Sequence, residues 1–146
     1  MTTTLAKTIK GLLMVSALLA TPIAASAESI AVSPTNIAVP NSGKQTTVTV
    51  KADGRQSSVV QLRVVAWTPG QDPNNVRATR DVVISPPMAK LRPRQELTAR
   101  VVRTKRKAVR GQECYRVLID RLPGKEQSGQ DVKLRVRHSV PLCFTS

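Results

Sequence analysis

The chain has 146 residues, a formal net charge of +14 and three aromatics in all. One histidine and two cysteines are too few for a histidine cluster or a closed zinc site. Three aromatics are also too few for a base-stacking platform, so the charge alone does not make a nucleic-acid binder.

Residues 1–27 read as an export signal. Lys7 and Lys10 form a positive start, Gly11 to Ala20 is apolar but short for a span, and Ala25-Ser26-Ala27 is a small-residue cleavage site. An uncleaved anchor is the alternative. With cleavage, residues 28–146 form one exported domain with no membrane span, located in the periplasm. Removing Lys7 and Lys10 leaves 21 basic residues against 9 acidic, a net +12. Outside the cytoplasm this charge argues against nucleic acid. It favours a carboxylate, an acidic protein surface or an anionic glycan, or simply keeps the domain soluble.

Short β-type runs follow, separated by turn residues. Ile30 to Val39 is broken at Ser33-Pro34, which predicts an edge or kinked strand. Thr46 to Ala52 places Val48 and Val50 on one face. Val59 to Trp67 is apolar, with Gln61 and Arg63 on the outer face. Val82 to Ile84 is stopped by Pro86-Pro87. Glu96 to Arg103 alternates Leu97, Ala99 and Val101 against Thr98 and Arg100. The basic cluster Arg103-Thr-Lys-Arg-Lys107, with Arg110, reads as a solvated loop. Glu113 to Pro123 is a sixth strand and Asp131 to His138 a seventh, linked by polar residues 124–130. Seven short strands predict an all-β, immunoglobulin-like sandwich of one domain, with a small closed barrel as the competing fold.

The last strand alternates strictly. Val132, Leu134 and Val136 share a face, opposite Lys133, Arg135 and Arg137. Such a terminal stripe either closes a core or waits for a partner. Apolar matching sets its register against the strand before it. Tyr115 pairs with Leu142, Val117 with Val140 and Ile119 with His138, each pair of numbers summing to 257. Cys114 and Cys143 obey the same sum and would face each other. Given export, they read as a disulfide, two buried free thiols being the alternative.

No Cys-x-x-Cys and no glycine-rich phosphate loop occur, and no metal or cofactor is expected. A Ser-His-Asp arrangement could be drawn with His138 and Asp120, but such a triad rests on geometry, so the chain reads as a non-enzyme.

Several segments together resemble a family. They are Val-Ser-Pro-Thr-Asn-Ile (32–37), Gln-Leu-Arg-Val-Val-Ala-Trp (61–67), Ile-Ser-Pro-Pro (84–87) and Leu-Arg-Pro (91–93). Glu-Cys-Tyr-Arg-Val-Leu-Ile-Asp-Arg-Leu-Pro (113–123) and Ser-Val-Pro-Leu-Cys-Phe (139–144) complete the set. In this order they resemble the N-terminal domain of periplasmic pilus-assembly chaperones, the PapD-like family, and most of all its archaic branch. The resemblance implies an immunoglobulin-like fold and no enzymatic activity. It implies pilus or fimbrial subunits as partners, with an outer-membrane usher as a further one. It implies that Val132, Leu134 and Val136 fill a subunit's open groove by strand addition. The family's second domain would be missing. Its two basic anchors for the subunit's C-terminal carboxylate fall on Asn36 and Pro141. Arg116, which the register places opposite Pro141, is then the candidate anchor, and Arg137 the second choice. A truncated or degenerate chaperone, or a basic module for anionic glycan, are the other readings.

Overall fold

The computed structural model describes residues 29–122 and 136–146. Among these residues ten strands run in chain order: β1 Ile30–Ser33, β2 Ile37–Val39, β3 Gln45–Ala52, β4 Ser58–Ala66, β5 Arg77–Ala78, β6 Val82–Ser85, β7 Met88–Leu91, β8 Glu96–Arg103, β9 Gln112–Leu122 and β10 Arg137–Thr145. They build two sheets. One has four strands in the order β1-β3-β8-β6. The other has six, in the order β2-β10-β9-β4-β5, with β7 also on β4. The result is the expected immunoglobulin-like sandwich.

Ten strands replace the predicted seven because the chain changes sheet twice at prolines. The run from Ile30 splits, β1 pairing with β3 and β2 with β10. Pro34 offers no N–H, so the first ladder stops there. Pro86-Pro87 separates β6, on β8, from β7, on β4. Strand β5 is a two-residue pairing with β4. The last strand also runs past His138 to Thr145, paired with β9 throughout.

Alternation decides what is buried. Val48 and Val50 of β3, Ala99 and Val101 of β8, Val60 and Leu62 of β4 and Val117 and Ile119 of β9 all meet between the sheets. Val140, Leu142 and Phe144 of β10 join them. Phe144 is fully buried and meets the Tyr115 ring edge-on, centroids 6.0 Å apart. The opposite faces carry the polar residues, as period-2 patterning requires.

Candidate functional site

Strand β10 is only half covered. On one side it pairs with β9 from Arg137 to Thr145. On the other, β2 reaches only Leu142, Cys143 and Phe144. Among the described residues, nothing pairs with the outer edge of residues 137–141. The Arg121 N–H donates to the Val136 carbonyl at 3.3 Å. In an antiparallel ladder this turns the backbone groups of even-numbered residues toward β9 and those of odd-numbered residues outward. Both backbone groups of Arg137 and the N–H of Ser139 therefore face the open edge, while the Ser139 carbonyl accepts from Arg116 Nη1 at 3.4 Å. Pro141 also falls at an outward position, where its missing N–H costs the β9 ladder nothing.

The even-numbered side chains of β10 form one row, with Val140, Leu142 and Phe144 in the core. Val136 belongs to that row by parity but lies beyond the core and is 49% exposed. Val132 and Leu134 lie outside the described residues.

The odd-numbered side chains lie on the outer face. Cys143 is directly opposite Cys114, and the structure joins them in a disulfide with Cα atoms 4.2 Å apart. The bond closes a sequence separation of 29. By chain entropy this restrains the unfolded state by roughly 3–4 kcal/mol.

Arg116 stands opposite Pro141 in the expected register. Asn36 immediately precedes Ile37, which pairs with Leu142, so it enters β2 at the level where Pro141 precedes Leu142 on β10. Arg116, opposite Pro141, is the basic residue of this group. Its guanidinium stacks on Trp67, 4.2 Å from the ring centroid, and its Nη1 donates to Ser139 Oγ at 3.1 Å. Its Nε is buried without an acceptor.

Arg137 stands opposite Asp120 and donates from Nε to Oδ1 at 2.5 Å. Arg63 Nη2 holds Asp120 Oδ2 at 2.8 Å from the other side. Burial pushes the Asp120 carboxyl up, but hydrogen bonds from Arg137 and Arg63 outweigh it and hold the group below the usual carboxylate range. Asp120 is thus occupied on the outer face, while His138 pairs with Ile119 on the inner one. The two do not meet, so the His-Asp pair that a triad needs is not formed.

The basic cluster is a correction to the solvated-loop expectation. Arg103 is 4% exposed. It donates from Nε and Nη2 to Glu113 Oε2, at 3.1 and 2.9 Å. It also donates to the Lys105 and Lys107 carbonyls at 2.8 Å. Lys105 reaches Glu113 at 3.2 Å and Asp81 at 3.7 Å. Only Arg106, Lys107 and Arg110 remain exposed as the expectation had it.

Trp67, Arg63 and Ser139 are site residues that motif reading passed over. Arg63 was legible as an outer-face residue. Its bond to Asp120 was not, since the register between β4 and β9 follows from tertiary pairing.

The class this geometry defines is an immunoglobulin-like sandwich whose last strand is open along half of one edge. The chain belongs to the pili and flagellar-assembly chaperone family, matching its PapD N-terminal domain over residues 29–145. No curated protein matches its sequence. Its fold is similar to that in the CsuC–CsuE chaperone–tip adhesion subunit pre-assembly complex from archaic chaperone-usher Csu pili of Acinetobacter baumannii. The TM-score is 0.66 at 22% identity, over 80% of this chain and 56% of that one. The complex of Salmonella enterica SafA pilin with the SafB chaperone matches with a TM-score of 0.67 at 22% identity, over 84% and 56%. A PapD-like domain of human CEP192 matches with a TM-score of 0.59 at 16% identity, over 91% and 96%. The chain spans a little over half the length of the two bacterial structures.

Proposed function

We propose that this protein is a periplasmic chaperone module that binds pilus or fimbrial subunits by lending them its last strand. It acts by binding and carries out no chemistry on its partner. The observation that carries this reading is the open edge of β10 at residues 137–141, continued by the exposed Val136. A subunit strand laid there gains main-chain hydrogen bonds, while Val132, Leu134 and Val136 supply alternate apolar side chains to its groove. Each such side chain removed from water contributes roughly 1.5–3 kcal/mol. Export through residues 1–27 fits both the disulfide and a partner outside the cytoplasm.

Amide hydrogen exchange tests the edge residue by residue. In the free protein, His138 and Val140 should exchange slowly because their N–H groups face β9, and Arg137 and Ser139 should exchange fast. Adding a pilus subunit should slow Arg137 and Ser139 specifically. Unchanged exchange at those two amides in a formed complex would exclude strand addition at this edge.

Arg116 is the proposed anchor for a subunit's terminal carboxylate. Trp67 and Ser139 hold its guanidinium in place, and a planar guanidinium can grip a carboxylate with two parallel bonds. Arg116→Ala should lower subunit affinity about tenfold or more, as loss of a charged hydrogen-bonded pair does. Its melting temperature should stay close to wild type. Equal affinity of the two proteins would remove Arg116 from the role and leave strand donation standing. Arg137, the second candidate, stands opposite Asp120, four residues along β10 from Pro141, and so away from the position of the missing lysine.

A second reading, a basic module for anionic glycan, rests on the exposed Arg106, Lys107 and Arg110. Salt separates the two, because glycan binding should weaken steeply with ionic strength and strand addition should persist.

A further inference from the structure

On the outer face of the six-stranded sheet, beside the open edge, lies an open cavity of about 410 Å³. Its wall is formed by Gln61, Arg63, Asp120, Arg121 and Arg137, and Leu122 and Val136 supply apolar surface. Among the described residues that line it, the charge is unbalanced. Asp120 is one carboxylate shared by two guanidiniums, with Arg63 on Oδ2 and Arg137 on both oxygens. Its side chain is 15% exposed, whereas those of Arg63 and Arg137 are 46% and 53% exposed. A guanidinium carries five N–H donors, so each arginine keeps donors beyond those Asp120 receives.

The backbone places a ligand here. Arg137 turns its free main-chain groups toward the open edge, so a strand added to β10 pairs with it directly. The residue opposite Arg137 on that strand projects on the same face, with its Cβ about 4.5–5.5 Å from that of Arg137. We infer that this cavity reads an acidic side chain on the added strand, at the position opposite Arg137, and so fixes the register of the bound subunit. The inference rests on the strand-addition reading and names the chemistry it selects. A slip of one residue would turn the carboxylate to the opposite face, away from the guanidiniums of Arg63 and Arg137. The site therefore rewards one register. It differs from Arg116, which is proposed to hold a chain terminus at the level of Asn36 and Pro141.

The test uses the full chain and fluorescent ten-residue peptides alternating valine and threonine. A single glutamate is moved through the threonine positions, with glutamine at each as control. One glutamate position should bind about five- to tenfold tighter than its glutamine control, the range of a partly exposed charged pair. Arg137→Gln should erase that preference and Arg116→Gln should keep it. Thermal melting checks that Arg137→Gln folds, since Arg63 still holds Asp120. Equal binding at every position, or a preference that survives Arg137→Gln, would overturn the inference. If no peptide binds, strand addition to this edge fails, and the cavity is judged by titrating butyrate against the arginine Nε–H NMR signals. Saturable shifts confined to Arg63 and Arg137 would support a carboxylate site. Absent or uniform shifts would overturn it.

Discussion

Arg103→Ala should destabilise the domain by about 3–4 kcal/mol, the lower part of the range for breaking a buried ion pair. Three losses combine. Glu113 keeps its burial but loses the two bonds that Arg103 gives one of its oxygens. The carbonyls of Lys105 and Lys107 lose their donor, so the turn between β8 and β9 loses its internal tie. The aliphatic stem of an almost fully buried side chain leaves a gap. In a domain of this size the melting temperature should fall by about 10 °C. Lys107→Ala removes an exposed side chain from the same cluster and should melt within a degree or two of wild type. If the two variants melt alike, the cluster is a solvated loop and Arg103 is no strut.

The pH dependence has a fixed sign. Burial raises the Glu113 carboxyl, but hydrogen bonds from Arg103 and Lys105 outweigh it and leave the group below its ordinary value of 4.5. The folded state therefore releases the Glu113 proton more readily than the unfolded chain. The pair's contribution is fully present above pH 4.5 and is lost as the pH falls through the lower folded value. Asp120 is lowered in the same direction, by Arg137 and Arg63 against its burial. Wild type should thus lose stability on acidification as both carboxylates take up protons, and Arg103→Ala should flatten the share that belongs to Glu113. A denaturant midpoint measured across the acid range reads this directly.

The parts of the fold legible in the sequence are those where period 2 is unbroken. Glu96 to Arg103 shows its strand and its buried face directly, and Val48 and Val50 do the same for β3. The register of β9 and β10 follows from apolar matching because a slip of one residue would turn the core row outward. That same register already implies Arg137 opposite Asp120, since 137 and 120 share the sum of the cysteines. Charge reading assigned Arg137 to the wet side of a stripe and to a second-choice anchor, without the carboxylate opposite it. Arg103 was missed for a related reason. Its odd number continues the row of Leu97, Ala99 and Val101 into the core, yet the block of charge after it hid that parity. Strands β5 and β7 carry little β-branched character and form because β4 offers them an edge, which no local pattern encodes. The stack of Arg116 on Trp67 depends on how the end of β4 lies against β9, again a tertiary matter.

Leu134→Glu and Leu142→Glu should have opposite consequences, although both replace an even-numbered leucine near the C-terminus. Leu142 is fully buried between the sheets, and a carboxylate there has no partner, so Leu142→Glu should fail to fold. Under the proposed strand donation, Leu134 and Val132 would continue the row beyond the exposed Val136, with apolar surroundings supplied by the partner. Leu134→Glu should therefore leave the free domain folded, with a melting temperature near wild type. Binding should suffer on two counts. The subunit groove loses one leucine, roughly 1.5–3 kcal/mol, and must accept a desolvated charge costing a few kcal/mol more. Together these exceed about 4 kcal/mol, or some thousandfold in affinity, so co-purification with a co-expressed pilus subunit should vanish. The open edge would still offer its main-chain bonds, which measures how much of the binding comes from side chains. Retained co-purification would show that Leu134 does not enter the groove. An unfolded Leu134→Glu domain would show that the stripe closes this protein's own core, and the strand-donation mechanism would fall with it.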